Sequence, residues 1–209
     1  MKDNTGVMIA VLTDGPVRME LASALVQMSH DERYQLQLIW SYARPIPANR
    51  QLIVKRFLLE SDLDYLMMID SDQWPYKNLL DLVEEDKDVV LFPVPVWRPG
   101  QEQPPIVSVL TPLEGTVVDL DEGPLVEIKR GGSVFLIARR VLETMAQPIF
   151  EYVFDDWGLM VVEEDINFCD KAREAGFSIW GAYSHPCGHV KTIDLVDVHN
   201  RVKEWSDAV

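Results

Sequence analysis

Two aspartates separated by one residue follow an uninterrupted apolar run early in the chain. Leu66 to Ile69 are all apolar, and Asp70, Ser71 and Asp72 come directly after them. A short apolar run of this kind is typical of a strand buried on both faces of a parallel sheet. Alternation along a strand would point the two carboxylates in the same direction. Because close carboxylates repel each other, the pattern indicates a hard divalent cation, Mg²⁺ or Mn²⁺, that takes oxygen ligands.

Two later groups of residues carry the same kind of chemistry. Glu163, Glu164 and Asp165 open a predicted helix, and His189 follows the last predicted strand. In open α/β sheets, ligands bind in the crevice at the carboxyl ends of the strands, so we expect these groups to meet the aspartate pair there. Carboxylates with one imidazole suit Mn²⁺ or Mg²⁺. Zinc fits less well, because Cys187 and His189 have no second paired ligand set.

Each of these patterns also has a purely structural interpretation. Asp70-Ser71-Asp72 can be a turn before a helix, since Pro75 suits a first helical turn. The acids at the start of the later helix compensate the positive end of its dipole. A lone histidine is more often packed or on the surface than a ligand. The metal-site prediction therefore depends on all three groups together.

The overall composition restricts the class of protein. The chain has 209 residues and 47% hydrophobic residues, with a net charge of −15 from 19 basic and 34 acidic residues. This charge argues against sequence-independent binding to nucleic acid or to an anionic membrane. No apolar stretch reaches the length of a membrane span, and the start has no signal-peptide layout. Because Cys169 and Cys187 do not form a disulfide framework, we expect a cytoplasmic protein.

Strands and helices alternate through the first half of the sequence. This order predicts an α/β fold with three layers and a mostly parallel central sheet. Asn49 is placed to cap the second helix. The predicted strands cover 7–13, 34–42, the run ending at 70, 88–94, 106–118, 125–128, 133–138 and 177–183. The predicted helices are one opened by the turn at 14–16 and ending near 29, then 49–60, 75–85, 139–145 and 163–175. The proline-rich stretch 93–105 and the aromatic stretch 150–162 are predicted loops, and 191–209 a polar tail.

Several common site motifs are missing. The first strand is not followed by Gly-x-Gly-x-x-Gly, which makes a dinucleotide site a weak interpretation. The sequence also has no Gly-x-x-x-x-Gly-Lys phosphate loop and no Gly-x-Ser-x-Gly nucleophile elbow.

The motifs present resemble those of the GT-A fold glycosyltransferases, in particular family 2. Asp70-Ser71-Asp72 after an apolar strand is similar to their DxD motif. Glu164-Asp165 at the start of a late helix, which ends in Glu174-Ala175-Gly176-Phe177, resembles their Glu-Asp segment. Gly188-His189 after the last core strand is similar to the third metal ligand of many GT-A enzymes. The resemblance extends over nearly the whole chain, from the first strand to about His189.

The resemblance implies a metal-dependent glycosyltransferase with a nucleotide-sugar donor. Asp70, Asp72 and His189 would hold Mn²⁺ or Mg²⁺ on the donor diphosphate, where the metal acts as a Lewis acid. Asp165 would be the general base on the acceptor hydroxyl, with Glu164 in support, and the reaction would invert the anomeric centre. The residues placed near the bound nucleotide are Thr13, Asp14, Asn49, Arg50, Asp70, Ser71 and Asp72.

The resemblance also implies how a single domain over residues 1–209 is organised. The nucleotide-binding half would extend to about residue 95 and the acceptor-side half from about 96 to 190, followed by the tail. Trp97 and Trp157 are candidates for stacking on a sugar ring, and burial in the core is an equal alternative for each. The acceptor is open, a saccharide being one possibility, and so is the oligomeric state.

Three other functions remain open. The same acids and metal would serve a metal-dependent nucleotide-sugar hydrolase or phosphatase, with water as the acceptor. A sugar-nucleotide-binding module without turnover is the second alternative, because a fold does not determine function. A glycosidase with two acids across a cleft is the third, and it leaves the Asp-Ser-Asp spacing unexplained.

Overall fold

An eight-stranded sheet forms the centre of the chain in a computed structural model, which describes residues 5–13, 15–97, 106–114, 125–190 and 195–208. The strands are β1 (Gly6–Leu12), β2 (Gln35–Ser41), β3 (Tyr65–Asp70), β4 (Gln73–Pro75), β5 (Val89–Leu91), β6 (Pro95–Trp97), β7 (Ile106–Ser108), β8 (Thr111–Pro112), β9 (Val126–Arg130), β10 (Phe135–Ala138), β11 (Val153–Phe154), β12 (Met160–Val162), β13 (Ile179–Gly181) and β14 (Cys187–His189). The helices are α1 (Met19–Ser29), α2 (Ile46–Glu60), α3 (Arg139–Thr144), α4 (Glu164–Glu174) and α5 (Leu195–Ala208), and a 3₁₀ helix covers Leu79–Glu85.

The sheet order is β2-β1-β3-β10-β5-β13-β9-β8. β10 pairs antiparallel with both β3 and β5, and β9 pairs antiparallel with β13 and β8. The other six strands therefore point the same way, which confirms the predicted α/β fold with a mostly parallel sheet. β1, β5 and β10 are buried along their whole length, as is β3 up to Ile69. Burial on both faces explains why these strands are continuous apolar runs.

Three smaller two-stranded sheets lie outside the central sheet. β14 pairs with β4, β6 pairs with β7, and β11 pairs with β12, all antiparallel. β4 ends at the residue where a helix was predicted to start, and β6 lies within the predicted proline-rich loop. Trp97, a candidate for stacking on a sugar ring, is half-buried in β6 and opposite Ile106. The predicted loop 150–162 contains the pair β11–β12, which we name the exposed ribbon.

The second helix corrects one prediction about capping. α2 begins at Ile46, three residues before the predicted start, and Pro45 is its N-cap residue. Proline suits this end because the first helical N–H groups have no partner within the helix. Asn49 is therefore inside the helix and is not its cap. Its side chain is 4% exposed and bonds to Ser41 at the end of β2.

Other boundaries differ from the predictions in smaller ways. In β2 the inward residues are Ile39 and Ser41, while Leu38 and Trp40 are 45% and 46% exposed, because this strand is the sheet edge. The predicted helix over 75–85 is the 3₁₀ helix, and the predicted polar tail contains α5. Residues 115–118 of the predicted strand over 106–118 lie outside the described residues. None of the helices in the described ranges has the length and apolar character needed to cross a membrane.

Candidate functional site

A cleft of about 1540 Å³ lies at the carboxyl ends of β1 and β3, next to the first turns of α2 and α4. Asp14, one of the predicted site residues, lies outside the described residues. All the other predicted site residues line the cleft: Thr13, Asn49, Arg50, Asp70, Ser71, Asp72, Glu164, Asp165 and His189. Residues predicted from five separate stretches of sequence are thus brought together in one place.

The turn after β3 is held by its own backbone. Asp70 is the last residue of β3 and lies opposite Leu12 of β1. The Ser71 N–H donates to the Leu12 carbonyl at 2.8 Å, and the Ser71 carbonyl accepts from the Arg18 N–H at 3.2 Å. The Val190 N–H donates to the Asp72 carbonyl at 3.1 Å. These bonds fix the direction in which Asp72 leaves the sheet.

Asp72 and His189 are in direct contact. His189 Nε2 lies 3.4 Å from Asp72 Oδ2, and His189 Nδ1 lies 2.9 Å from the Pro95 carbonyl oxygen. A carbonyl oxygen only accepts, so Nδ1 carries the proton of this hydrogen bond. In the neutral ring, Nε2 then presents its lone pair towards the carboxylate. Metal-bound histidines have this arrangement, with the second ring N–H donated to a carbonyl or carboxylate.

The pairing of β14 with β4 positions His189. His189 lies opposite Gln73 in this pair, and Gly188 lies opposite Trp74. A Cβ at residue 188 would come within 2.3 Å of the Trp74 indole, so only glycine lets the two strands approach this closely. β4 has only three residues, which is too few to show a pattern that predicts its partner strand. The pairing of β4 with β14 was therefore not predicted from the sequence.

The donor set suits a divalent cation bound by two protein side chains. Within the described residues, no group of three His, Cys, Asp or Glu side chains is placed to hold a metal. The Asp70 carboxylate is instead 3.9 Å from Arg50 Nη2, and it accepts from Gln73 Nε2 at 3.4 Å. Asp72 and His189 provide one oxygen and one nitrogen. Mg²⁺ is often bound by only one or two protein ligands, with water and substrate phosphate completing the shell.

The pKa of Asp70 is affected by charged residues from both predicted acid groups. Burial raises the pKa of the Asp70 carboxyl, and the carboxylates of Asp72 and Asp165 raise it further, while the Arg50 guanidinium lowers it. Both predicted acid groups are therefore close enough to act on one carboxyl.

Glu164 lies deeper in the protein than its neighbour Asp165. Its side chain is 8% exposed, and its Oε1 is 3.5 Å from Arg50 Nε. Burial raises the pKa of the Glu164 carboxyl, Asp165 and Asp70 add to this, and Arg50 opposes it. Glu164 thus connects the first turn of α4 to Arg50 on the buried side of the cleft.

Asp165 is half-buried in the first turn of α4 and packs against Gly132. A Cβ at residue 132 would lie 1.7 Å from Asp165 Oδ2, so this contact requires a glycine. Asp165 Oδ1 accepts from the Ile166 N–H at 2.7 Å. A role for Gly132 was not identified from the sequence.

The other end of the cleft is formed where β1, β2 and α2 meet. The Thr13 N–H donates to the Ser41 carbonyl at 3.0 Å, and Asn49 Nδ2 donates to the same carbonyl at 3.2 Å. Thr13 Oγ1 accepts from the Gly15 N–H at 3.1 Å. These bonds shape the predicted nucleotide end, and contact of Thr13, Asn49, Arg50 and Ser71 with a nucleotide stays a prediction.

The two candidate stacking residues are in different surroundings. Trp157 is 89% exposed at the turn of the exposed ribbon, whereas Trp97 is half-buried. Tyr152 and Met160 are the residues at the ribbon that line the cleft. Burial raises the pKa of the Tyr152 hydroxyl, and the carboxylates of Glu164 and Glu163 raise it further.

Comparison with solved structures shows the fold to which this chain belongs. A197 from STIV is similar over 89% of this chain and 86% of its own, with a TM-score of 0.62 and 18% identity. GalNAc-T7, solved with UDP, GalNAc and Mn²⁺, is similar over 91% of this chain with a TM-score of 0.50 and 13% identity. This chain spans 44% of the GalNAc-T7 chain. The sequence matches no protein-family model and no curated protein.

These likenesses concern the fold, because the identities are low. The α/β fold with its mostly parallel sheet is that of the GT-A glycosyltransferases.

Proposed function

We propose that this chain is a metal-dependent glycosyltransferase that moves a sugar from a nucleotide-sugar donor to an acceptor hydroxyl with inversion. The observation that carries the proposal is the Asp72–His189 contact in the same cleft as Asp165. A carboxylate facing an imidazole lone pair suits Mn²⁺ or Mg²⁺, and GalNAc-T7, which has a similar fold, was solved with UDP and Mn²⁺.

The residues of the chain have separate roles in this proposal. Asp72 and His189 hold the metal, which supplies Lewis-acid stabilisation of the leaving diphosphate when bound. Asp165 accepts the proton of the acceptor hydroxyl as that oxygen attacks the sugar. Glu164 supports the helix turn that carries Asp165. Thr13 and Asn49 lie at the nucleotide end. Asp165 serves here as a base and forms no bond to the sugar, so the displacement is single and inverts the anomeric centre.

A thermal-shift panel of nucleotide sugars, each with and without Mn²⁺, tests the donor half of the proposal. A ligand that binds the native state raises the unfolding temperature by mass action. We expect one donor class to raise it only when Mn²⁺ is present. Absence of any donor-dependent shift, in a folded protein that still responds to Mn²⁺, would contradict the proposal and favour a metal-dependent hydrolase with another substrate.

Product analysis tests the transfer half. The donor found in the panel is incubated with Mn²⁺ and a set of saccharide acceptors, and the products are separated. We expect a glycosylated acceptor with inverted anomeric configuration. Free sugar at the same rate with and without an acceptor would identify a hydrolase, and binding without turnover would identify a binding module.

A further inference from the structure

Arg50 is a buried cation at the base of the cleft. Arg50 is 2% exposed, although it lies in the second turn of α2 next to the open cleft. Its guanidinium carbon lies 4.7 Å from the centre of the Phe135 ring and 5.6 Å from that of Phe150. Phe150 in turn stacks on Phe168 of α4. The cation therefore rests on aromatic rings from the core, which attract it and exclude water.

Two cleft carboxylates on different elements face this cation. Arg50 Nη2 is 3.9 Å from Asp70 Oδ2, and Arg50 Nε is 3.5 Å from Glu164 Oε1. Asp70 ends β3 and Glu164 is in the first turn of α4. One side chain of α2 thus connects the strand that leads to Asp72 with the helix turn that carries Asp165.

The hydrogen bonding of Arg50 is incomplete. Its Nε and Nη1 are buried and donate no hydrogen bond within the described part of the chain. Buried donors that make no hydrogen bond cost free energy, and a buried ion pair is weak evidence for stability. Core packing alone would be served better by an apolar residue, so the cost points to a role in the site.

From this geometry we infer that Arg50 is a positioning residue that sets the place of Asp165 relative to Asp72 by holding Glu164 and Asp70 together. The inference rests on the proposed function, because it assigns Asp165 the base role. Burial leaves Arg50 little surface for a nucleotide, so it acts through the two carboxylates. A displacement of about 1 Å in a reacting group can cost about 100-fold in rate.

The test compares four variants with a matched control. The variants are Arg50→Lys, Arg50→Met, Glu164→Gln and the double variant Arg50→Met with Glu164→Gln. The control is Arg139→Met, because Arg139 also stacks on a phenylalanine, Phe57, at 4.3 Å and donates to the Ser61 and Leu63 carbonyls outside the cleft lining. Each variant is measured for unfolding temperature, metal-dependent donor binding, kcat and donor KM.

A positioning role predicts different results for stability and rate. Arg50→Met is expected to lower kcat by about 100-fold while donor KM changes by less than about threefold. Arg50→Lys is expected to recover about tenfold of that loss, because it keeps a charge but not the planar fork. The double variant is expected to have a higher unfolding temperature than Arg50→Met but a kcat that is no higher. Arg139→Met is expected to lower the unfolding temperature and keep kcat.

Three results would overturn the inference. Wild-type kcat in the double variant would show that Arg50 only neutralises a buried carboxylate. A raised donor KM with unchanged kcat in Arg50→Lys would make it a nucleotide ligand. Equal kcat losses in the Arg50 and Arg139 variants would show a general structural effect. If Arg50→Met does not fold, the lysine and double variants still decide.

Failure of the proposed function gives a different pattern. In that case the wild-type protein transfers no sugar, and turnover of its actual substrate replaces kcat in the same comparison. If it has no turnover, the unfolding temperatures of the single and double variants still report the coupling between residues 50 and 164. Additive changes at these two positions would then overturn the inference.

Discussion

At the scale of single residues, a direct contact joins Asp72 and His189, with His189 Nε2 3.4 Å from Asp72 Oδ2. Asp72→Asn removes the negative charge while keeping the shape of the side chain. We expect it to weaken metal-dependent donor binding by at least about 100-fold, more than the usual effect of changing an outer-shell partner. The donor-induced thermal shift with and without Mn²⁺ measures this loss.

His189→Ala is expected to act in the same direction, and His30→Ala serves as its control because His30 is exposed at the end of α1. An unchanged Mn²⁺-dependent shift in both site variants would place the metal elsewhere.

Asp165→Asn separates binding from transfer. The amide cannot accept the acceptor proton as a base, so we expect kcat to fall by about 100-fold to 10,000-fold while donor binding stays normal. Kinetics with saturating donor and a titrated acceptor measure the change. Asp62→Asn, at an exposed position outside the cleft lining, is the control and should keep wild-type kcat. Normal transfer by Asp165→Asn would disprove the base assignment.

Gly132→Ala tests the close approach of the backbone to Asp165, the proposed base. The added Cβ would meet Asp165 Oδ2 at 1.7 Å, so the carboxylate or the backbone must move. We expect kcat to fall by about 100-fold and the unfolding temperature to decrease by several degrees. Gly15→Ala, whose Cβ would meet no atom within 4 Å, should keep the wild-type unfolding temperature. A fully active Gly132→Ala would mean that Asp165 need not occupy this position during the reaction.

At the scale of elements, one exposed ion cluster joins the end of α1 to the 3₁₀ helix. Asp31 accepts from Arg33 Nη2 at 2.7 Å and from Asn78 Nδ2 at 2.8 Å. The Arg33 guanidinium, hydrogen-bonded to Asp31, is the main cause that holds the pKa of this carboxyl at about 2, below its ordinary value of 3.8. A lowered folded-state pKa stabilises the fold fully above about pH 4, and the contribution is lost as the pH falls towards about 2.

Asp31→Asn is therefore expected to cost about 1 kcal/mol near neutral pH, discounted because Arg33 is 43% exposed and solvent screens the pair. The difference from wild type should shrink as the pH falls from about 4 to about 3. Urea unfolding at several pH values measures it. A difference that stays constant with pH would show that the hydrogen-bond geometry, and not the charge of Asp31, provides the stabilisation.

Local sequence patterns predicted the elements better than their partners. Continuous apolar runs identified β1, β3, β5 and β10, because burial on both faces leaves no polar position. The same run suits either direction of pairing, so the antiparallel β10 could not be predicted from it. The site acids were found because they stand directly at the ends of these runs.

The supporting contacts of the site depend on distant segments. Trp74 packs against Gly188, which lies more than a hundred residues later in the sequence. Asp165 packs against the backbone of Gly132, which has no side chain in the way. Asn49 matched a capping pattern, but α2 begins earlier, at Ile46, so Asn49 lies inside the helix and its side chain bonds to Ser41. The hydrophobic periodicity of a sequence does not predict such contacts, because they form only when the sheet brings separate chain segments to one edge.

At the scale of the whole molecule, charge would affect how the proposed donor reaches the cleft. The chain has a net charge of −15. Among the described residues that line the cleft, six are acids and three are arginines: Glu20, Asp70, Asp72, Glu163, Glu164 and Asp165, with Arg18, Arg44 and Arg50. A nucleotide diphosphate is also negative, so the bare protein repels it and a bound divalent cation offsets part of the repulsion.

This repulsion predicts the salt dependence of donor binding without metal. Added salt screens like charges, so we expect the metal-free Kd to decrease as NaCl rises from about 0.05 M to about 0.5 M. With Mn²⁺ present, the dependence should weaken or reverse. Titration calorimetry at several salt concentrations measures both series. A metal-free Kd that increases with salt would show that the arginines dominate the site.

The central position of β10 also affects how the polypeptide folds as it leaves the ribosome. β10 is the only described strand that joins β1–β3 to β5 and β13, and its residues, 135–138, are made after those of β1, β2, β3 and β5. A nascent chain that has reached residue 95 therefore carries two apolar strands whose inner edges have no partner. Such edges favour aggregation, so the nascent chain would benefit from chaperones at this stage. We therefore expect that the stretches on the two sides of the predicted boundary near residue 95 do not fold independently of each other.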